Sequence, residues 1–271
     1  MPVLKAMDFE PSKVEFGQVR STKFGTFVSI NYDGGELFIH TPELFTPFDS
    51  NYFPDKEKNS GKWTVRTSLK GGGDVAVLEE KLSELDNIVK NKVIQNSQSW
   101  MKKKNMSVDV INEIYNPTIK VSLNKETGEP DGKWPSSFQF KLEHKDDAMK
   151  CKIYDKSKNE QVVDLEKPNP LGDVLVKGSN IKALVKCSCL WIINGKLGIS
   201  WVAEQLRVDQ GQSQRIIGYA LDSDEEDVNN DNYVKSDSDS DNEDEGGNES
   251  EEMTPEPKKP VAKKRVVKKK N

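Results

Sequence analysis

Two apolar runs, Ile181–Ile193 and Leu197–Val208, form the most apolar part of the chain, and Asn194-Gly195 lies between them. Asn-Gly accepts the positive φ angles of a tight two-residue turn, so the runs read as the arms of a β-hairpin. One stretch, Trp201–Leu206, also fits a helical turn, and the sequence leaves that choice open.

The upstream sequence supplies further strands. Val14–Arg20, Thr26–Asn31 and Glu36–His40 alternate apolar and polar residues, with Asp33-Gly34-Gly35 as a turn. A loop rich in Pro, Phe and Asn comes next, over Pro42 to Ser60, and then a strand over Lys62–Leu69. Leu78, Leu82, Leu85, Val89 and Val93 recur at spacings of three and four, giving one apolar helix face. Asp74 is placed to cap that helix, and Lys102-Lys103-Lys104 suits its C-terminal dipole. A short helix over Val108–Tyr115 succeeds Ser107 and ends before Pro117. Strands return at Thr118–Leu123, Ser137–Glu143, Lys150–Tyr154 and Gln161–Leu165. Strands, one long helix, then strands predict a mainly β (α+β) fold. The economical form is an OB-like Greek-key barrel with a long helix.

Charge divides the chain into three regimes. Its 40 Lys and Arg and 45 Asp and Glu give a net charge of -5. Asp222–Pro257 holds 16 acids and one base; Lys258–Asn271 holds 8 bases and no acid. Residues 1–221 keep 31 bases and 29 acids, close to balance. A segment so charged and so poor in apolar residues cannot bury enough surface to fold. The expected organisation is therefore an OB-like domain at 1–221, a disordered acidic linker at 222–257, and a basic tail at 258–271. As a tethered polyanion the linker can compete for a basic groove or recruit basic partners. Ser223, Ser236, Ser238 and Ser240 each precede an acid by three residues, a pattern suited to acid-directed phosphorylation. Lys263, Lys264, Arg265, Lys268, Lys269 and Lys270 read as a nuclear-import or non-specific nucleic-acid patch, or as a counter-ion arm for the acidic block.

Catalytic patterns are sparse. The histidines are His40 and His144, and no Walker, Gly-x-Ser-x-Gly, His-Glu-x-x-His or EF-hand pattern occurs. Gly71-Gly72-Gly73 opens the long helix, but Asp74 would repel a phosphate there, so a turn is the better reading. Cys187 and Cys189 share one side of a regular strand but lack a second ligand pair, which favours core thiols over zinc. The expectation is a non-enzyme without metal or cofactor. Three cysteines, no apolar leader at residues 1–10 and no membrane-length apolar run fit a reducing, intracellular, membrane-free setting.

Single-strand binders pair a basic groove with aromatic faces on which bases stack. Four segments interleave those residue types: Lys62-Trp63 with Arg66 and Lys70; Lys133-Trp134 with Phe138, Phe140 and Lys141; Lys150, Lys152 and Tyr154; and Lys182, Lys186 and Trp191. Lys and Arg would contact backbone phosphates, and Trp63, Trp134 and Tyr154 would stack. Phe138 and Phe140 fit either core or platform, and Trp191 and Trp201 fit the core.

The segment from Cys187 to Trp201, Cys-Ser-Cys-Leu-Trp-Ile-Ile-Asn-Gly-Lys-Leu-Gly-Ile-Ser-Trp, resembles the C-terminal part of single-stranded DNA-binding proteins of nucleocytoplasmic large DNA viruses. Those are similar to the phage type, which joins an OB-fold to an acidic tail. The resemblance implies single-stranded DNA as partner and a role in viral DNA replication, repair or recombination. It also implies that the acidic tail engages replication or recombination proteins, at a viral replication site, in the host nucleus or within the virion. The chain departs from the phage type at its end, which is Lys268-Lys269-Lys270-Asn271 and not acidic. Two alternatives stand beside this reading: an acidic histone-chaperone-like protein, or a structural virion protein binding basic partners. Self-association as a homo-oligomer stays open.

Overall fold

The computed structural model describes residues 3–55, 59–167 and 169–210. The acidic linker and the basic residues Lys263, Lys264, Arg265, Lys268, Lys269 and Lys270 lie outside the described residues. Alternation of apolar and polar side chains draws the strands of the described chain into one sheet. Its first half holds β1 (Val3–Lys5), β2 (Val14–Thr22), β3 (Gly25–Tyr32), β4 (Gly35–Glu36), β5 (Phe38–His40), β6 (Leu44–Phe45), β7 (Asn51–Asp55) and β8 (Ser60–Ser68). Then come α1 (Asp74–Met101) and α2 (Val108–Ile114). The second half holds β9 (Tyr115–Asn116), β10 (Ile119–Lys120), β11 (Ser137–Lys145), β12 (Ala148–Met149), β13 (Lys152–Tyr154), β14 (Glu160–Gln161), β15 (Asn180–Ile193) and β16 (Lys196–Asp209).

Five of these stretches close on themselves. β6 lies antiparallel to β8, β8 to β11, and β11 runs parallel to β16. β16 turns back antiparallel along β15, and β15 returns to β6. Numbered around the chain, that is a 1-2-3-5-4 ring, the five-stranded Greek-key barrel expected of an OB-like fold. The ring is unevenly knit. β8 and β11 share nine residue pairs, from Ser137↔Ser68 to Lys145↔Ser60. β6–β8 is a single pair, Phe45↔Ser68, and β11–β16 is also one, Lys141↔Val202. Between β5 and β6 the chain breaks at Pro42, which has no N–H to donate. Thr41 bridges the break: its N–H donates to the Ala183 carbonyl at 2.8 Å, and its hydroxyl accepts from Ala183 N–H at 2.9 Å.

The hairpin of β15 and β16 is the spine, each arm 14 residues long. Trp201–Leu206 is strand, with Trp201, Ala203 and Leu206 buried against the core. Trp191 lies across from Gly198, where a Cβ would sit 2.8 Å from its ring and 2.9 Å from the Asn116 carbonyl. That close approach is why the distinctive segment needs glycine at 198.

α1 links β8 to β11 and buries Leu78, Leu82, Leu85, Val89 and Val93 as its spacing requires. Each such burial stabilises by about 1.5–3 kcal/mol. Gly73 is its N-cap and Asp74 its first residue, without a side-chain capping bond, so the expected Asp74 cap is corrected by one position. Ser107 does cap α2, accepting from Val110 N–H. Asp86, buried within α1, accepts from the Tyr115 hydroxyl (2.7 Å), Thr118 N–H (2.7 Å) and Thr118 hydroxyl (2.6 Å). It thereby fixes the helix to the segment leading into β10. Three expected strands are shorter than read: Thr118–Leu123 contributes only Ile119–Lys120, Lys150–Tyr154 only Lys152–Tyr154, and Gln161–Leu165 only its first residue; Glu36–His40 is interrupted at Leu37. The loop at 42–60 contains β6 and β7, short or Pro-bearing strands that alternation does not reveal.

Candidate nucleic-acid interface

The period of two divides β8 into an inner and an outer side. Trp63, Val65 and Thr67 are buried, leaving Lys62, Thr64 and Arg66 outside. On β11, Phe138, Phe140 and Leu142 are buried, leaving Gln139, Lys141 and Glu143 outside. Register sets Arg66 beside Gln139, Thr64 beside Lys141 and Lys62 beside Glu143. β7 then adds Phe53 beside Lys62.

Aromatic rings accompany these cations. The Lys62 ammonium lies 5.9 Å from the centre of the Phe53 ring, and the Arg66 guanidinium 5.8 Å from that of Phe48. Phe48 is 56 % exposed, Phe53 47 % and Phe45 46 %, unusual values for phenylalanine. Phe45 sits opposite Ser68, on the same outer side as Arg66. Lys120, on β10 opposite Ser137, also belongs to this field. Burial holds its ammonium below the usual lysine range; nearby Asp86 opposes that shift and Arg66 adds to it. The outer face of β7, β8 and β11 therefore interleaves phenyl rings with cations along about 25 Å of strand.

The sequence-derived candidates fall in several places. Lys62, Arg66 and Lys141 come together on this face, and Lys70 is exposed just beyond the end of β8. Trp63 requires correction as a stacking surface. It is 1 % exposed, stacked on Tyr52 with centroids 4.6 Å apart, and Tyr52 in turn bonds His144 at 2.9 Å. Phe138 and Phe140 are core, as is Trp201. Trp134 is 67 % exposed in the loop entering β11, with the Lys133 ammonium 5.7 Å from its ring. It stands at the Lys70 end of the face, where Leu69 N–H donates to the Ser136 carbonyl. Lys150 and Lys152 are exposed but ion-paired, to Glu143 at 2.9 Å and Glu160 at 3.7 Å. Tyr154 lies elsewhere, on β13 beside Arg207 of β16. Phe45, Phe48 and Phe53 are absent from the sequence-derived set; their only signal is phenylalanine within a polar, Pro-rich loop.

A β-bulge separates the two hairpin cysteines. The register slips between Cys187 and Cys189, so Cys187 is buried while Cys189 is only partly covered. Their expected common face is thus corrected, since a bulge inserts one residue and re-aims the side chains beyond it. Burial raises both thiols above their ordinary range. Among the described residues, no three His, Cys, Asp or Glu side chains converge on a metal position. No helix among them is long and apolar enough to cross a membrane.

No family model and no curated protein matches the chain. The solved structures to which it is similar include three from bacteriophages. A C-terminally truncated single-stranded DNA-binding protein from bacteriophage Enc34 has 10% identity over 72% of this chain and 95% of that one, with a TM-score of 0.34. The untruncated Enc34 protein gives 9%, 71%, 88% and 0.34. The single-stranded DNA-binding protein gp2.5 of bacteriophage T7 gives 11%, 64%, 91% and 0.39. At these scores the superpositions are loose, and the fold and face described above stand on strand pairing and side-chain geometry.

Proposed function

We propose that residues 1–221 bind single-stranded DNA without catalysing a reaction, through the outer face of β7, β8 and β11. The observation that carries this is the pairing of Lys62 with Phe53 and of Arg66 with Phe48, rings exposed and cations alongside. An exposed cation–π contact is worth about 0.5–1 kcal/mol, whereas a base stacked on an aromatic ring is worth about 1–3. A base therefore gains by taking the ring face, and the displaced cation remains placed for the adjoining phosphate. In OB-like barrels the second and third strands form the usual oligonucleotide face. Here those strands are β8 and β11.

Lys141, Lys70, Lys133 and Trp134 extend this path at its middle and its far end. The resemblance in residues 187–201 supports a role in viral DNA replication, repair or recombination. Of those residues Cys187, Leu190, Ile192, Leu197, Gly198 and Trp201 are buried, so in this reading the segment serves the fold more than the contacts. The acidic segment 222–257 serves in this reading to engage replication proteins or to compete for the basic face. The test is fluorescence titration with single-stranded and duplex oligonucleotides at two salt concentrations. Salt-sensitive preference for the single strand is expected. Equal binding to duplex, or binding of histones by 222–257 with no oligonucleotide affinity in residues 1–221, overturns the proposal in favour of a chaperone.

A further inference from the structure

A second concavity lies on the outer side of β5, β15, β16 and β13, away from the β7–β8–β11 face. Register builds it in two rows. Lys182, Arg207 and Tyr154 are lateral neighbours across β15, β16 and β13; His40, Leu184 and Gln205 form the adjoining row. These side chains line a hollow of about 200 Å³. Like charges placed opposite one another on adjacent strands destabilise a sheet. Lys182 and Arg207 are such a pair, and the Glu43 carboxylate lies 3.9 Å from Arg207. His40 registers the resulting field. Burial lowers its imidazole pKa, and Lys182, Arg207 and Lys5 lower it further.

The geometry points to a second nucleic-acid contact here, taking one nucleotide of a bound single strand, with its base on Tyr154 and its phosphate between Lys182 and Arg207. This rests on the reading of the chain as a single-strand binder. The hollow is smaller than the roughly 300–1,000 Å³ that enclose a whole small molecule, so it suits one unit of a longer ligand. An aromatic ring and the apolar Leu184 beside two cations match a base and a phosphate; an acidic peptide would use only the cations. The site is within reach of the first face. Lys141 is beside Val202 and Tyr154 beside Arg207, and five residues along β16 span about 17 Å. A strand leaving the β8–β11 face past Lys141 would arrive at this hollow.

The full chain and three variants, Lys182→Gln with Arg207→Gln, Tyr154→Ala, and Tyr154→Phe, are titrated with oligothymidylate of about 4 and about 12 nucleotides at several salt concentrations. Circular dichroism and melting check that each variant is folded. The paired Gln variant is expected to weaken the longer oligomer and to flatten its salt slope by about 1.4, two phosphate contacts at about 0.7 each. Tyr154→Ala is expected to weaken the longer oligomer by about fivefold or more, with Tyr154→Phe restoring it. The short oligomer, held on the β8–β11 face, is expected to bind all variants alike. Photocrosslinking with a halogenated uracil oligomer adds a readout independent of stability: the crosslinked peptide is expected to contain Tyr154. If wild type binds no oligomer, the proposed function fails. If wild type binds and the variants match it in affinity, slope and crosslink, only the second contact fails. Tighter binding by the paired Gln variant also overturns it, and assigns the hollow to an acidic peptide.

Discussion

The Arg66 guanidinium lies 5.8 Å from the centre of the Phe48 ring, joining a strand cation to an exposed loop aromatic. Phe48 belongs to the connection between β6 and β7 and Arg66 to β8, so two separate elements meet to form one contact. Phe48→Ala is expected to weaken single-strand binding by about 1–3 kcal/mol, the range for losing a stacked base. Arg66→Gln is expected to lower the salt slope by about 0.7. A double-mutant cycle in oligonucleotide titrations tests their coupling, and strict additivity would mean that ring and guanidinium do not act on one nucleotide.

Trp63 separates stability from binding. Its ring is buried between Tyr52 and the barrel interior, so Trp63→Ala is expected to cost about 3–5 kcal/mol in urea unfolding. Phe53→Ala is expected to cost little stability and to weaken oligonucleotide binding. A Trp63→Phe variant that folds normally yet loses affinity would return Trp63 to the interface.

Asp86 makes the domain's stability pH-dependent. Burial raises its pKa above the ordinary 3.8, outweighing the hydrogen bonds from Thr118 and Tyr115 that favour the carboxylate. With the folded pKa above the unfolded one, its contribution is fully present below the unfolded value and is lost as pH rises through the folded value. Asp86→Asn is expected to remove that slope from stability curves measured from about pH 4 upward. Asp86→Ala leaves the Tyr115 hydroxyl and Thr118 N–H without their acceptor and is expected to cost about 3 kcal/mol. Identical pH profiles for wild type and Asp86→Asn would show that another group governs the slope.

His40 runs the opposite way. Its pKa is depressed from 6.5, so its stabilising contribution is present above the unfolded value and is lost as pH falls through the folded one. A phosphate near Lys182 and Arg207 would favour the protonated ring. Oligonucleotide affinity is therefore expected to rise as pH falls through the titration of this ring, with proton uptake measurable by calorimetry in buffers of different ionisation enthalpy. His40→Gln is expected to flatten this dependence.

Much of the architecture is legible in the sequence because it rests on periodicity. The spacing of Leu78, Leu82, Leu85, Val89 and Val93 identifies α1, and Asn194-Gly195 with its flanking runs identifies the hairpin. Trp63 misleads although the same alternation places it inside. Trp63, Val65, Thr67 and Leu69 form a single buried set, and its polar neighbours Lys62 and Arg66 simply occupy the other side. The rings of Phe48 and Phe53 are not legible, because their value comes from β7 pairing with β8, and an edge strand containing Pro54 shows no clean pattern. Nor is the hollow beside Tyr154, which exists only once β5, β13, β15 and β16 are laid side by side.

The uneven knitting of the barrel has a mechanical meaning. β8 and β11 are joined by nine pairs, yet each of their outer margins is joined to the ring by one. A stretch with so few cross-links yields before a fully laddered one. The proposed binding face is thus a stiff plate hung between two compliant seams, with Phe45 on one seam and Lys141 on the other. A plate so hung is expected to tilt as a unit without breaking its own ladder, which would let the proposed face accept purines and pyrimidines alike.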